Sequence, residues 1–66
     1  MLDTAKMKAL REGLELSQAQ AAGKAGFGGG RQQWSNIETG AKADITMTTL
    51  GKIAKALKCK PKDLLK

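Results

Sequence analysis

LSQAQAAGKAGFGGGRQQWSNIETG, residues 16–40, is the stretch on which the reading of the chain turns. Its first part is alanine-rich and free of proline, as a short helix requires. Its middle, Gly26-Phe27-Gly28-Gly29-Gly30, has four glycines in five positions. Glycine loses the most backbone freedom on ordering, so this run predicts a turn and not a helix. Beyond it, Trp34 and Ile37 recur at helical spacing, and at about 100° per residue they point away from Gln32, Ser35 and Asn36. Two short helices joined by a glycine turn are therefore expected, the second with one apolar and one polar face.

The flanks extend the pattern. Met7, Leu10 and Leu14 form an apolar stripe that predicts a first helix over residues 4–13. Ser17 is placed to cap the second helix, which should stop at Gly26; the third should run over about 30–39 and stop at Gly40. After a loop over 41–45, Thr46 is placed to cap a fourth helix whose core face carries Met47, Leu50, Ile53, Ala54 and Leu57. Pro61 suits the first turn of a short fifth helix bearing Leu64 and Leu65. No segment alternates like a strand. The expected fold class is all-α, a compact five-helix bundle forming one domain over 1–66.

Composition narrows the function. A chain of 66 residues buries only about 60% of its unfolded surface and depends on close helix packing. Cys59 is the only cysteine and histidine is absent, which excludes an internal disulfide, a Cys/His zinc site and a Ser–His or Cys–His catalytic pair. No apolar run approaches the ~18 residues of a membrane span and no signal peptide is evident, so a cytoplasmic protein is expected. The net charge of +6 favours a polyanionic partner, nucleic acid before a membrane surface.

A helix-turn-helix needs a small residue where its helices cross, a turn residue tolerant of positive φ, and apolar anchors behind a polar outer face. Ala22, Gly26 and the pair Trp34 and Ile37 meet the first three needs. Arg31, Gln32, Gln33 and Asn36 supply the outer face; Arg pairs bidentately with guanine, and Gln or Asn with adenine. With Arg11, Leu14, Leu16-Ser17-Gln18, Ala22, Gly26, Ile37-Glu38-Thr39-Gly40, Ile53-Ala54-Lys55-Ala56-Leu57 and Asp63-Leu64-Leu65 in this order, the chain resembles the Cro/repressor-type (XRE) helix-turn-helix family over nearly its whole length. The resemblance implies a lambda-repressor-like five-helix domain that binds double-stranded DNA as a homodimer on a two-fold site and regulates transcription, here as a repressor. It implies base reading by Arg31, Gln32 and Asn36, with Gln33 beside them, and phosphate contact by Ser17, Gln18, Thr39, Gly40 and Lys42, Gln18 also bracing the readers. It further implies a structural ion pair between Arg11 and Glu38, and neither enzymatic activity nor a cofactor.

Three features depart from the family. The turn is two residues longer, Glu15 stands where glycine is frequent, and Ala21 and Ala25 replace larger apolar residues whose volume Phe27 and Trp34 are expected to fill. Gly23-Lys24 is followed by Ala25 and preceded by a helix, so a phosphate-binding P-loop is rejected. Glu38 has no second placed carboxylate or base for catalysis. Cys59 reads as a small core residue. Lys52, Lys55, Lys58, Lys60, Lys62 and Lys66 crowd the last third, as a solvated face or as a second contact with DNA or an acidic protein. The alternative to a DNA reader is thus a protein-interaction module, or an antitoxin-like partner-binding protein, that keeps the fold.

Overall fold

Three of the described α-helices begin where the N-cap side chain accepts a free N–H of the first turn. In the computed structural model, which describes residues 2–41 and 45–65, the Asp3 carboxylate accepts from the Lys6 N–H at the start of α1 (Thr4–Gly13). Ser17 and Gln20 form a reciprocal capping box on α2 (Gln18–Ala25). Thr46 caps α4 (Met47–Ala56) through the Thr49 N–H. The helix between them, α3 (Gly30–Glu38), has no side-chain acceptor at its N-cap, Gly29.

The helices α1, α2 and α4 end alike. A residue at the cap or just after it turns left-handed, and two backbone bonds close the last turn. For α2 that residue is Gly26, at φ 75°, and the Phe27 N–H donates to Ala22 O over 3.0 Å. For α1 it is Glu15, at φ 58°, with the Leu16 N–H on Arg11 O over 3.1 Å. For α4 it is Lys58, at φ 55°, with the Cys59 N–H on Ala54 O over 2.9 Å. A glutamate and a lysine thus occupy positions that glycine fills without steric conflict.

The expected fifth helix is a four-residue 3₁₀ turn, Pro61–Leu64, so the described residues form four α-helices and this turn. Proline brings no N–H to the turn, and the chain leaves it extended at Leu65. Leu65 then makes an isolated antiparallel bridge with Leu2, and the Asp3 N–H donates to Leu64 O over 2.7 Å. This pairing joins the two ends of the described chain. It is a local strand contact that the alternation pattern did not predict.

The core lies where α2 packs on α3 and α4, closed by α1 and the 3₁₀ turn. Trp34, Met7, Ile37, Ile53 and Leu64 are its largest fully buried side chains. Ala21 and Ala22 are fully buried beside them, and the Phe27 and Trp34 rings meet at 5.9 Å in a tilted pair. Three apolar residues, two of them expected on the apolar faces of α1 and α4 and one on the short fifth helix, lie further out. Leu14 ends up 36% exposed because Glu15 turns the chain away, Met47 is 73% exposed at the first position of α4, and Leu65 is 44% exposed in the terminal bridge. Cys59 is half-buried against the core, and burial, reinforced by Asp63, pushes its thiol above the ordinary range while Lys6 pulls the other way.

The two left-handed charged residues give a direct test. Glu15→Gly and Lys58→Gly should each stabilise the fold by about 0.5–1 kcal/mol, relief of the left-handed strain being partly offset by the freer unfolded chain. Urea denaturation followed by circular dichroism measures this; a loss of stability in both variants would contradict the two helix endings described.

Candidate nucleic-acid interface

The orientation of α3 depends on one carboxylate. Glu38 is the last residue of the helix and its side chain is only 3% exposed. The Trp34 indole Nε1, one turn earlier, donates to its Oε2 over 2.6 Å. From α1, Arg11 donates through Nε to Oε2 at 3.1 Å and through Nη2 to Oε1 at 3.1 Å. From α2, Gln18 Nε2 donates to Oε2 over 3.3 Å. Arg11 also donates through Nη1 to the Leu16 carbonyl over 2.7 Å, tying the α1–α2 loop to the same cluster. Among the described residues no buried side-chain nitrogen or oxygen lacks a partner. A buried charge is tolerated only with such pairing, so the cluster fixes α3 to both helices before it.

With Trp34, Ile37 and Glu38 turned inward, α3 presents Arg31, Gln32 and Asn36 to solvent. Gln32 Nε2 donates to Asn36 Oδ1 over 3.0 Å, so these two amides form one unit along the helix. Gln33 is half-buried and turns back: its Oε1 accepts the Gly29 N–H at 3.0 Å, supplying part of the cap that the helix start otherwise lacks. A side chain at position 29 would collide with this arrangement, because its Cβ would lie 2.9 Å from Gln33 Cβ. Gly30 enters the helix at φ 61°. The glycine run is therefore a shaped turn, with left-handed backbone at both ends and a close approach between them.

The residues expected at phosphates differ in what they have to offer. Ser17 Oγ accepts the Gln20 N–H, and among the described residues its own hydroxyl hydrogen has no protein acceptor. Gln18 uses one amide hydrogen on Glu38 and keeps the other. It reaches α3 through Glu38, and Gln32 is held by Asn36. Thr39 Oγ1 donates to Ser35 O over 2.8 Å, its N–H donates to the same carbonyl over 2.9 Å, and the Gly40 N–H donates to Ile37 O over 3.1 Å. Lys42 lies outside the described residues.

Several of these contacts escaped the sequence reading, though some left a signal. The Ser17-x-x-Gln20 spacing is a capping-box pattern. A buried tryptophan needs an acceptor, and Glu38 stands four residues after Trp34, within one helical turn. The Gln33–Gly29 lock and the inward turn of Gln18 have no comparable signature.

The helix-turn-helix family model matches residues 7–64, from α1 through the 3₁₀ turn. The chain belongs to this family, the Cro/XRE-type helix-turn-helix proteins, whose domain is that of DNA-binding regulators. No curated protein and no solved structure matches it. Among the described residues no helix is long and apolar enough to cross a membrane.

Removing the central carboxylate should separate stability from charge. Glu38→Ala leaves Arg11, Gln18 and the Trp34 indole without their common acceptor and should cost about 3–5 kcal/mol. Glu38→Gln retains an acceptor for the indole and should cost less. Thermal melts of both variants check this; unchanged melting of Glu38→Ala would show that the cluster does not hold α3.

Proposed function

We infer that the protein is a sequence-specific double-stranded DNA-binding repressor that inserts the N-terminal half of α3 into the major groove, two copies occupying a two-fold site. The observation that carries this reading is the exposed row of Arg31, Gln32 and Asn36 on a helix whose opposite face is locked into the core. Polar groups on a rigid element suit base reading, because hydrogen bonds discriminate bases only when their direction is fixed. Repression then follows from occupancy of the regulated DNA.

The chemistry assigns the roles. Gln32 gives one amide hydrogen to Asn36 and keeps Oε1 and the second hydrogen, the acceptor and donor that adenine N6 and N7 require. Arg31, beside it, suits guanine O6 and N7. Gln33 acts mainly through the turn, since its oxygen already holds Gly29. Ser17 and Gln18 retain hydrogens for phosphate at the start of α2. Thr39 and Gly40 already donate inward, so phosphate contact beyond α3 falls to Lys42.

Fluorescence anisotropy with a duplex selected from a random pool, against a scrambled one, tests the reading. Arg31→Ala and Gln32→Ala should each cost about 1–3 kcal/mol on the selected duplex and little on the scrambled one. If roughly six phosphates are neutralised, log affinity should fall against log salt with a slope of about −5. Equal losses on both duplexes, or a slope near zero, would remove α3 as the reader.

A further inference from the structure

A second surface lies away from the reading face. The α1–α2 loop, the C-terminal part of α2 and the end of α4 enclose a partly open groove of about 210 Å³. Leu14, Leu16 and Ala56 supply its apolar surface, with Lys24 and Lys58 beside them. No residue of α3 lines it. Leu14, 36% exposed, leaves apolar surface open there. Neither lysine makes an ion pair among the described residues.

Both non-glycine left-handed residues border this groove. Lys58 lines it at φ 55°, and Glu15, at φ 58°, sits between the two lining leucines. Such backbone is unfavourable for a side-chain-bearing residue and is often retained where the side chain is used. At Lys58 the turn places a lysine at the edge of a groove that Leu14, Leu16 and Ala56 also line. Glu15 is the acidic residue in the adjoining loop, so negative charge is favoured toward the lysine side.

We propose that this groove docks an acidic linear segment of a partner protein, an apolar anchor residue seated against Leu14, Leu16 and Ala56 and flanking Asp or Glu side chains on Lys24 and Lys58. Size favours a peptide over a small molecule. Ligand pockets usually enclose about 300–1,000 Å³, whereas this groove has room for one or two aliphatic side chains. Charge complementarity favours an acidic one, and DNA would leave the apolar floor unfilled. Because α3 takes no part, the partner binds the protein while it is on DNA.

Selection from a displayed library of random dodecapeptides tests the proposal. Immobilised wild-type protein should enrich peptides with an aliphatic or aromatic anchor flanked by Asp or Glu. The best of them, fluorescently labelled, should lose about tenfold or more in affinity for Lys24→Glu/Lys58→Glu and be unaffected by Gln32→Ala. Titrated into unmutated protein, it should shift the methyl resonances of Leu14, Leu16 and Ala56, a readout that needs no variant to fold. It should also remain bound when saturating duplex DNA is added. Absence of acidic enrichment, indifference to the charge reversal, shifts centred on α3, or displacement by DNA would each overturn the proposal. None of these results depends on whether α3 reads sequence, which the selected and scrambled duplexes decide separately.

Discussion

A single buried carboxylate determines where the reading helix points. Glu38 alone would be costly in the interior, since an unpaired buried charge is among the most destabilising features a small domain can contain. Here its two oxygens receive donors from α1, α2 and α3. The helices must therefore approach in one relative arrangement for the charge to be tolerated, and the arrangement that satisfies it turns Arg31, Gln32 and Asn36 outward. An apolar residue in place of Glu38 would pack without this directional requirement. The contact of Arg11 with Leu16 O extends the same constraint into the loop before α2.

The turn between α2 and α3 complements this by steric means. Gly26 and Gly30 adopt left-handed backbone, and Gly29 approaches Gln33 too closely for a β-carbon. The longer, glycine-rich connection therefore has backbone requirements that glycine meets at each of these three positions. Phe27, buried within it against Trp34, anchors the loop to the core where the neighbouring alanines leave room. The departure from the family's usual turn length and the small residues of α2 are thus two parts of one packing solution.

Much of this was legible beforehand. The helix starts at Ser17 and Thr46, the stop at Gly26 and the inward direction of Trp34 and Ile37 follow from local chemistry that acts within a few residues. What was not legible depends on tertiary context. Leu14 and Met47 fit an apolar stripe by spacing, yet helix ends leave them exposed. The last segment has the composition of a helix and a proline suited to its start, but the chain turns extended at Leu65 to pair with Leu2, which leaves only a 3₁₀ turn. Gln18 and Gln33 looked like outward-facing polar residues; partners distant in sequence, or a backbone N–H one turn away, hold them back. A polar residue's type gives its hydrogen-bonding capacity, but not which partner uses it.

The central claim is that α3, held from behind by the Glu38 cluster, meets base edges with the Gln32–Asn36 unit. Nitrogen-15 correlation spectra recorded during titration with a selected duplex test it most directly, because side-chain amide resonances report these groups individually. The account predicts large shifts of the Gln32 and Asn36 side-chain amides with the selected duplex, much smaller ones with a scrambled duplex, and a Trp34 indole N–H that stays in place throughout. Shifts confined to the lysines of the C-terminal third, with both amides unmoved, would contradict it.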